Sequence, residues 1–181
     1  MTAREFDPFR LDVAAFAKDG GELAGRWPLA DFERIVESVV APAESAEAVD
    51  WSARGEARPV RGAAAEVWLH VDASTQVALE CQRCLKPVGV SLQVARHFRF
   101  VHGEDAAAQL DADSEDDVLA ITRALDLREL IEDELLLALP IVPRHEVCPE
   151  PLRVDVEPAP AEDDRPNPFA ALAALKRTPL N

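Results

Sequence analysis

Apolar and polar residues along this chain follow two different periods. From Ala65 to Phe100 the period is two. Ala65, Val67, Leu69 and Val71 alternate with Glu66, Trp68, His70 and Asp72. Val77, Leu79 and Cys81 resume the pattern. Val88, Val90, Leu92, Val94, Phe98 and Phe100 continue it, with Arg96 as the one break on that face. Such alternation predicts strands that bury one face. Asp72-Ala73-Ser74-Thr75 reads as a turn between two of them. Glu22 to Pro28 predicts a short strand, 49–60 a strand pair or a long edge strand, and Val118 to Ile121 a last short strand.

Two stretches repeat at helical spacing instead. Phe32, Ile35, Val36, Val39 and Val40 fall at i, i+3, i+4, i+7 and i+8, and Pro42 ends that helix. Leu127, Leu130, Ile131, Leu135 and Ala138 form a second apolar face. Asp126 and Glu129 open it at capping-box spacing, and Pro140 stops it. The segment before the Gly20-Gly21 turn, with Phe6, Phe9, Leu11, Val13 and Phe16, reads as short and irregular. The expected class is α+β: an antiparallel β-meander packed with two main helices, in a single domain over residues 1–148.

Composition changes this picture in two places. Residues 102–117 hold seven acids and no Lys or Arg, which predicts a mobile loop or solvated acidic insert. After Cys148 the chain becomes rich in Pro and acid, so 149–181 is expected to be a tail. Asn167-Pro168 is a sound helix start, with Asn as N-cap and Pro in the first turn. Phe169, Leu172 and Leu175 then make a small apolar stripe for a short C-terminal helix.

Hydrophobic residues make up 48% of the 181 positions, enough for a real core. The longest apolar run, Leu135 to Val142, is broken by Pro140 and is too short to span a bilayer. The N-terminus carries acids and lacks an apolar h-region, so no secretory signal is expected. Three cysteines is an odd number, which fits reduced thiols in a cytoplasm better than a disulfide framework. The formal net charge of −15 repels nucleic acid in bulk and favours a basic partner.

The chemistry-bearing residues lie at Cys81-x-x-Cys84 and His145-x-x-Cys148. Three thiolates and one imidazole are the ligand set of a closed tetrahedral zinc site. A two-residue gap lets both sulfurs of one turn reach a single ion, and the second pair would staple the last helix to the sheet. Two other readings stand beside it. Cys81 shares the inward parity of Val77 and Leu79, so both cysteines could be small buried hydrophobes with His145 on the surface. A thiol-redox pair is the third reading. It wants a thiolate at a helix N-terminus, whereas Leu85-Lys86-Pro87 and a strand pattern follow here.

Between Cys81 and Gly103 the charged side chains are Arg83, Lys86, Arg96 and Arg99, a basic stretch in an acidic chain. They are candidate contacts for RNA phosphate or an acidic partner, or ordinary solvated strand residues. His97 lies among them and reads as structural; His70 faces outward by parity. Glu132, Asp133 and Glu134 are adjacent on a helix, point in different directions and read as a solvated face rather than an acid/base pair. Glycine-rich phosphate loops and nucleophile motifs are absent from the sequence.

Four blocks resemble one family. Glu80-Cys81-Gln82-Arg83-Cys84-x-Lys86-Pro87 is similar to the signature of the YceD-like large ribosomal RNA subunit accumulation proteins. Glu132-Asp133-Glu134-Leu135-x-Leu137-Ala138-Leu139-Pro140-Ile141-Val142-Pro143-x-His145 resembles that family's helix and proline turn, with Cys148 just beyond. Asn167-Pro168-Phe169-Ala170-x-Leu172-x-x-Leu175-Lys176 resembles its C-terminal box, and Phe32 to Val40 also fits. The resemblance implies a cytoplasmic, non-enzymatic role in synthesis, processing or stability of 23S ribosomal RNA. Large-subunit RNA is one candidate partner, and the net charge favours a basic ribosomal protein as the direct one. A zinc-dependent interaction module without an RNA role is the alternative.

Overall fold

The computed structural model describes residues 5–40 and 48–149. In chain order they form α1 (Val13–Lys18), β1 (Glu22–Pro28), a 3-10 turn (Leu29–Asp31) and α2 (Glu33–Ser38). Then follow β2 (Ala48–Arg58), β3 (Glu66–Glu80), β4 (Pro87–Val101), α3 (Glu104–Asp113), β5 (Asp117–Ala120) and α4 (Leu127–Leu137). The strands make one sheet in the order β1-β2-β3-β4-β5. Neighbours are antiparallel through β4, so the expected meander is present. β5 departs from it and runs parallel to β4. A parallel neighbour needs a crossover, and α3 is that crossover. The class is α+β with a mixed sheet.

One sheet face is buried under α1, α2 and α4. Val49, Trp51 and Ala53 of β2, Leu69, Val71, Val77 and Leu79 of β3, and Leu92, Val94, Phe98 and Phe100 of β4 all point to it. There they meet Val13 and Phe16, Ile35, and Leu127, Ile131 and Leu135 of the helices. Trp27 stacks on Trp51 at 4.1 Å between ring centroids and closes the β1 end of the core. α1 can lie flat on β2 because residue 55 is glycine. A Cβ there would stand 2.7 Å from Ala17 N and 2.8 Å from its Cα.

Several expectations are corrected by pairing. The turn expected at Asp72-Ala73-Ser74-Thr75 is the middle of β3. Asp72 pairs with Ser52 and Ala95, and Thr75 with Leu92. Thr75 Oγ1 also donates to the Ala48 carbonyl at 3.0 Å. Val71, Ala73, Thr75 and Val77 keep one parity, so ladders on both sides override the local turn preference. β2 is a single interior strand, not a pair or an edge. The opening segment contains α1, capped by Asp12, whose carboxylate accepts from Ala15 N at 3.1 Å.

Two acidic stretches are also more ordered than expected. Residues 104–113 form α3, which packs through Ala107 near Val118 of β5 rather than forming a loop. Glu132 and Glu134 are 8% and 7% exposed, not a solvated face. Glu132 accepts from the backbone N–H of Arg34 at 2.8 Å and of Ile35 at 3.3 Å, and so caps α2 across the core. Its second oxygen accepts from Arg34 Nη2 at 3.0 Å, and Arg34 also binds Asp133. Glu134 accepts from Arg96 Nε at 2.9 Å, which is why an arginine is tolerated on the core side of β4. The C-terminal helix expected from Asn167 onward, and the tail beyond Pro149, lie outside the described residues.

Candidate metal centre

β3 ends at Glu80 and β4 begins at Pro87, so residues 81–86 make the hairpin turn. Cys81 N–H donates to the Lys86 carbonyl at 3.0 Å, and Leu85 N–H to the Cys81 carbonyl at 2.8 Å. Leu85 takes φ 59°, a left-handed value that a leucine rarely adopts. That bend closes the turn and brings the Cys81 and Cys84 sulfurs to one side. Both cysteines are buried.

The segment after α4 then returns to this turn. Pro140 ends the helix, and the Pro143 carbonyl accepts from Gln82 N–H at 2.9 Å. His145 Nε2 lies 3.0 Å from the Pro87 carbonyl and donates to it. This fixes the tautomer and leaves Nδ1 as an electron pair 3.4 Å from Cys84 Sγ. Cys148 Sγ lies 3.9 Å from Cys81 Sγ. The four donor atoms of Cys81, Cys84, His145 and Cys148 all lie within 4.8 Å of one another.

These separations fit a tetrahedral ion. Zn–S bonds of about 2.3 Å and Zn–N bonds of about 2.0–2.1 Å imply edges of roughly 3.8 Å between sulfurs and roughly 3.5 Å between sulfur and nitrogen. The cluster therefore has the donor types, count and spacing to hold a metal. The Pro87 carbonyl supplies the outer hydrogen bond that zinc-bound imidazoles ordinarily have.

The electrostatics point the same way. Burial pushes the Cys81 thiol up. The backbone N–H groups of Arg83, His145 and Cys84 outweigh it and hold that thiol at about 5. Burial raises Cys84; the Lys86 N–H opposes this, while the Cys148 and Cys81 sulfurs push it further up. The two sulfurs are thus pushed in opposite directions, Cys81 toward thiolate and Cys84 away from it. Arg83 Nε donates to Cys148 Sγ at 3.0 Å, and its Nη2 to the carbonyls of His145 at 3.0 Å and Glu146 at 3.2 Å. The Cys148 sulfur, and with it the surrounding thiolate charge, raises the Arg83 guanidinium.

The basic stretch is distributed differently. Arg83 turns inward onto the cysteine loop. Arg96 and Arg99 project from opposite faces of β4, Arg96 to Glu134 and Arg99 to Glu66 at 2.8 Å. Lys86 sits at the end of the hairpin turn and has a partner of its own. The four do not converge on one surface. Alternation along β4 was enough to separate Arg96 from Arg99, but the role of Arg83 depends on a loop sixty residues away.

A sheet-and-helix protein with a Cys3His knuckle joining a hairpin to the segment after α4 is the class that fold and site define. Among the described residues no helix is long and apolar enough to cross a membrane. The model of the family described as large ribosomal RNA subunit accumulation protein YceD matches residues 69–176. The Large ribosomal RNA subunit accumulation protein YceD of Haemophilus influenzae is 32% identical over 174 residues, covering 94% of this chain and 96% of that protein. This chain belongs to the YceD family. No solved structure matches it.

Proposed function

We propose that this protein is a cytoplasmic ribosome-biogenesis factor that supports the synthesis, processing or stability of 23S ribosomal RNA by binding rather than catalysis. Family membership over nearly the whole chain carries this reading. The family is named for accumulation of the large-subunit RNA, not for a reaction. The net charge of −15 favours a basic ribosomal protein as the direct partner over the RNA itself.

In this reading Cys81, Cys84, His145 and Cys148 hold a structural Zn2+. Four protein ligands leave no open position for substrate, so such an ion acts as a staple. It ties the 81–86 turn to residues 143–148 and fixes the surface that a partner meets. Arg83 balances the surplus negative charge of three thiolates around a dication.

Deleting the gene and restoring it as wild type or as Cys148→Ser tests the role. The 23S level should fall on deletion, recover with wild type and recover less with the variant. Unchanged 23S on deletion would refute the proposal. Capture from lysate with and without nuclease tests the partner: capture that survives nuclease supports a ribosomal protein, and capture lost with it supports RNA.

A further inference from the structure

The face of the sheet opposite the helices carries a second constellation. His70 and His97 are direct cross-strand partners in β3 and β4. Their rings meet edge to face at 4.6 Å, and their Nδ1 atoms lie 2.7 Å apart. The other nitrogen of His70, Nε2, lies 2.6 Å from Glu56 Oε2 on β2. Glu56 is held in turn by Arg58 Nη2 at 3.2 Å. Beside the pair lies a groove of about 450 Å³ whose lining includes Glu22, Ser52, Arg54 and Asp72.

We infer that His70 Nδ1 and His97 Nδ1 form a chelating site for a divalent transition metal of the nickel or copper type. At 2.7 Å two bare nitrogen lone pairs repel, so one hydrogen bridges them when no ion is present. An ion can replace that hydrogen. Metal–imidazole bonds of about 2.0–2.1 Å set the two nitrogens roughly 2.9 Å apart at a right angle and roughly 3.4 Å apart at a tetrahedral angle. The observed spacing needs to open only slightly for the first and much more for the second. Right-angle chelation belongs to tetragonal and octahedral ions, and imidazole suits nickel and copper.

Glu56 on His70 Nε2 repeats the carboxylate–histidine–metal arrangement. It holds the hydrogen on Nε2 and leaves Nδ1 free to bind. Glu22, Glu56 and Asp72 face this region against Arg54 and Arg58, so the local field does not exclude a dication. The groove leaves room for water or a small ligand at the remaining positions. The site is thus open and exchangeable, unlike the closed Cys3His knuckle at the turn of the same hairpin.

The chain has four histidines, His70, His97, His102 and His145, so each ring can be followed by nitrogen NMR. The untagged, zinc-loaded protein is titrated with Ni2+. His70 and His97 should broaden together at about one equivalent, ahead of exposed His102. His97→Gln should abolish the early response of His70. Glu56→Gln should keep the site and weaken it by about 10–100-fold. Circular dichroism checks that each variant retains the sheet, and should His97→Gln unfold, the Glu56→Gln shift decides. Broadening confined to His145, a response no earlier than His102, or an unaltered response in the folded variants would overturn the inference.

Discussion

His145 is oriented by Pro87: its Nε2 donates to the Pro87 carbonyl at 3.0 Å, and Nδ1 consequently faces Cys84 at 3.4 Å. Pro87 opens β4, and β5 pairs only with Phe98–Val101, so that strand does not reach this carbonyl. A strand terminus thereby selects the tautomer of a side chain that arrives from beyond α4. This contact joins the family signature around Cys81 to the proline turn after α4.

The knuckle should bind one zinc per chain, measured by elemental analysis of purified protein. Cys148→Ser should lose it. Arg83→Ala removes no ligand but deletes the donor to Cys148 Sγ, so its zinc affinity should fall by about 10–100-fold in competition with a chelator. Retention of full affinity in Arg83→Ala would show that its guanidinium contributes nothing to the site.

Chelation should act locally before it acts globally. The segment 141–149 is tied back through the Pro143 carbonyl, His145 and Cys148. Hydrogen exchange there should accelerate on zinc removal, while Leu69, Val71 and Phe98 in the sheet stay protected longest. Uniform acceleration across the sheet would mean that the metal supports the whole fold.

Glu132→Ala should destabilise the protein by about 1–3 kcal/mol, because it removes the cap of α2 and strands the N–H groups of Arg34 and Ile35. Glu132→Gln keeps one accepting oxygen and should cost less. Denaturant midpoints of the two variants decide the order.

Gly55→Ala should cost about 1–3 kcal/mol, since the new methyl collides with the backbone of Ala17. Gly89→Ala is the control: nothing lies within 4 Å of a Cβ there. It should be neutral or slightly stabilising.

Acid should weaken the β2–β3 region through Glu56. Arg58 first, and then His70, hold this carboxyl at about 2 rather than its ordinary 4.5. A folded value below the unfolded one contributes stability that is fully present above about 4.5 and disappears as pH falls through about 2. Glu56→Gln should therefore flatten the denaturant midpoint across that window.

The sequence by itself determined which face of β3 and β4 is buried. Alternation in β3 and β4 assigned Leu69, Val71, Leu92 and Phe98 to the core because one buried face forces a period of two. Cys81, Cys84, His145 and Cys148 were also legible, since zinc chemistry restricts donor types and the spacing within each pair. Order along the chain could not show that the two pairs meet; that needed the return of the segment after Pro140. Ladder partners on both sides decided that Asp72 to Thr75 is strand rather than turn. The direction of β5 depended on α3 folding and crossing back. The burial of Glu132 and Glu134, and the dispersal of Arg96 and Arg99 onto opposite faces, followed from which charges met across the core. The pairing of His70 with His97 rested on register alone, which no local pattern of either strand contains.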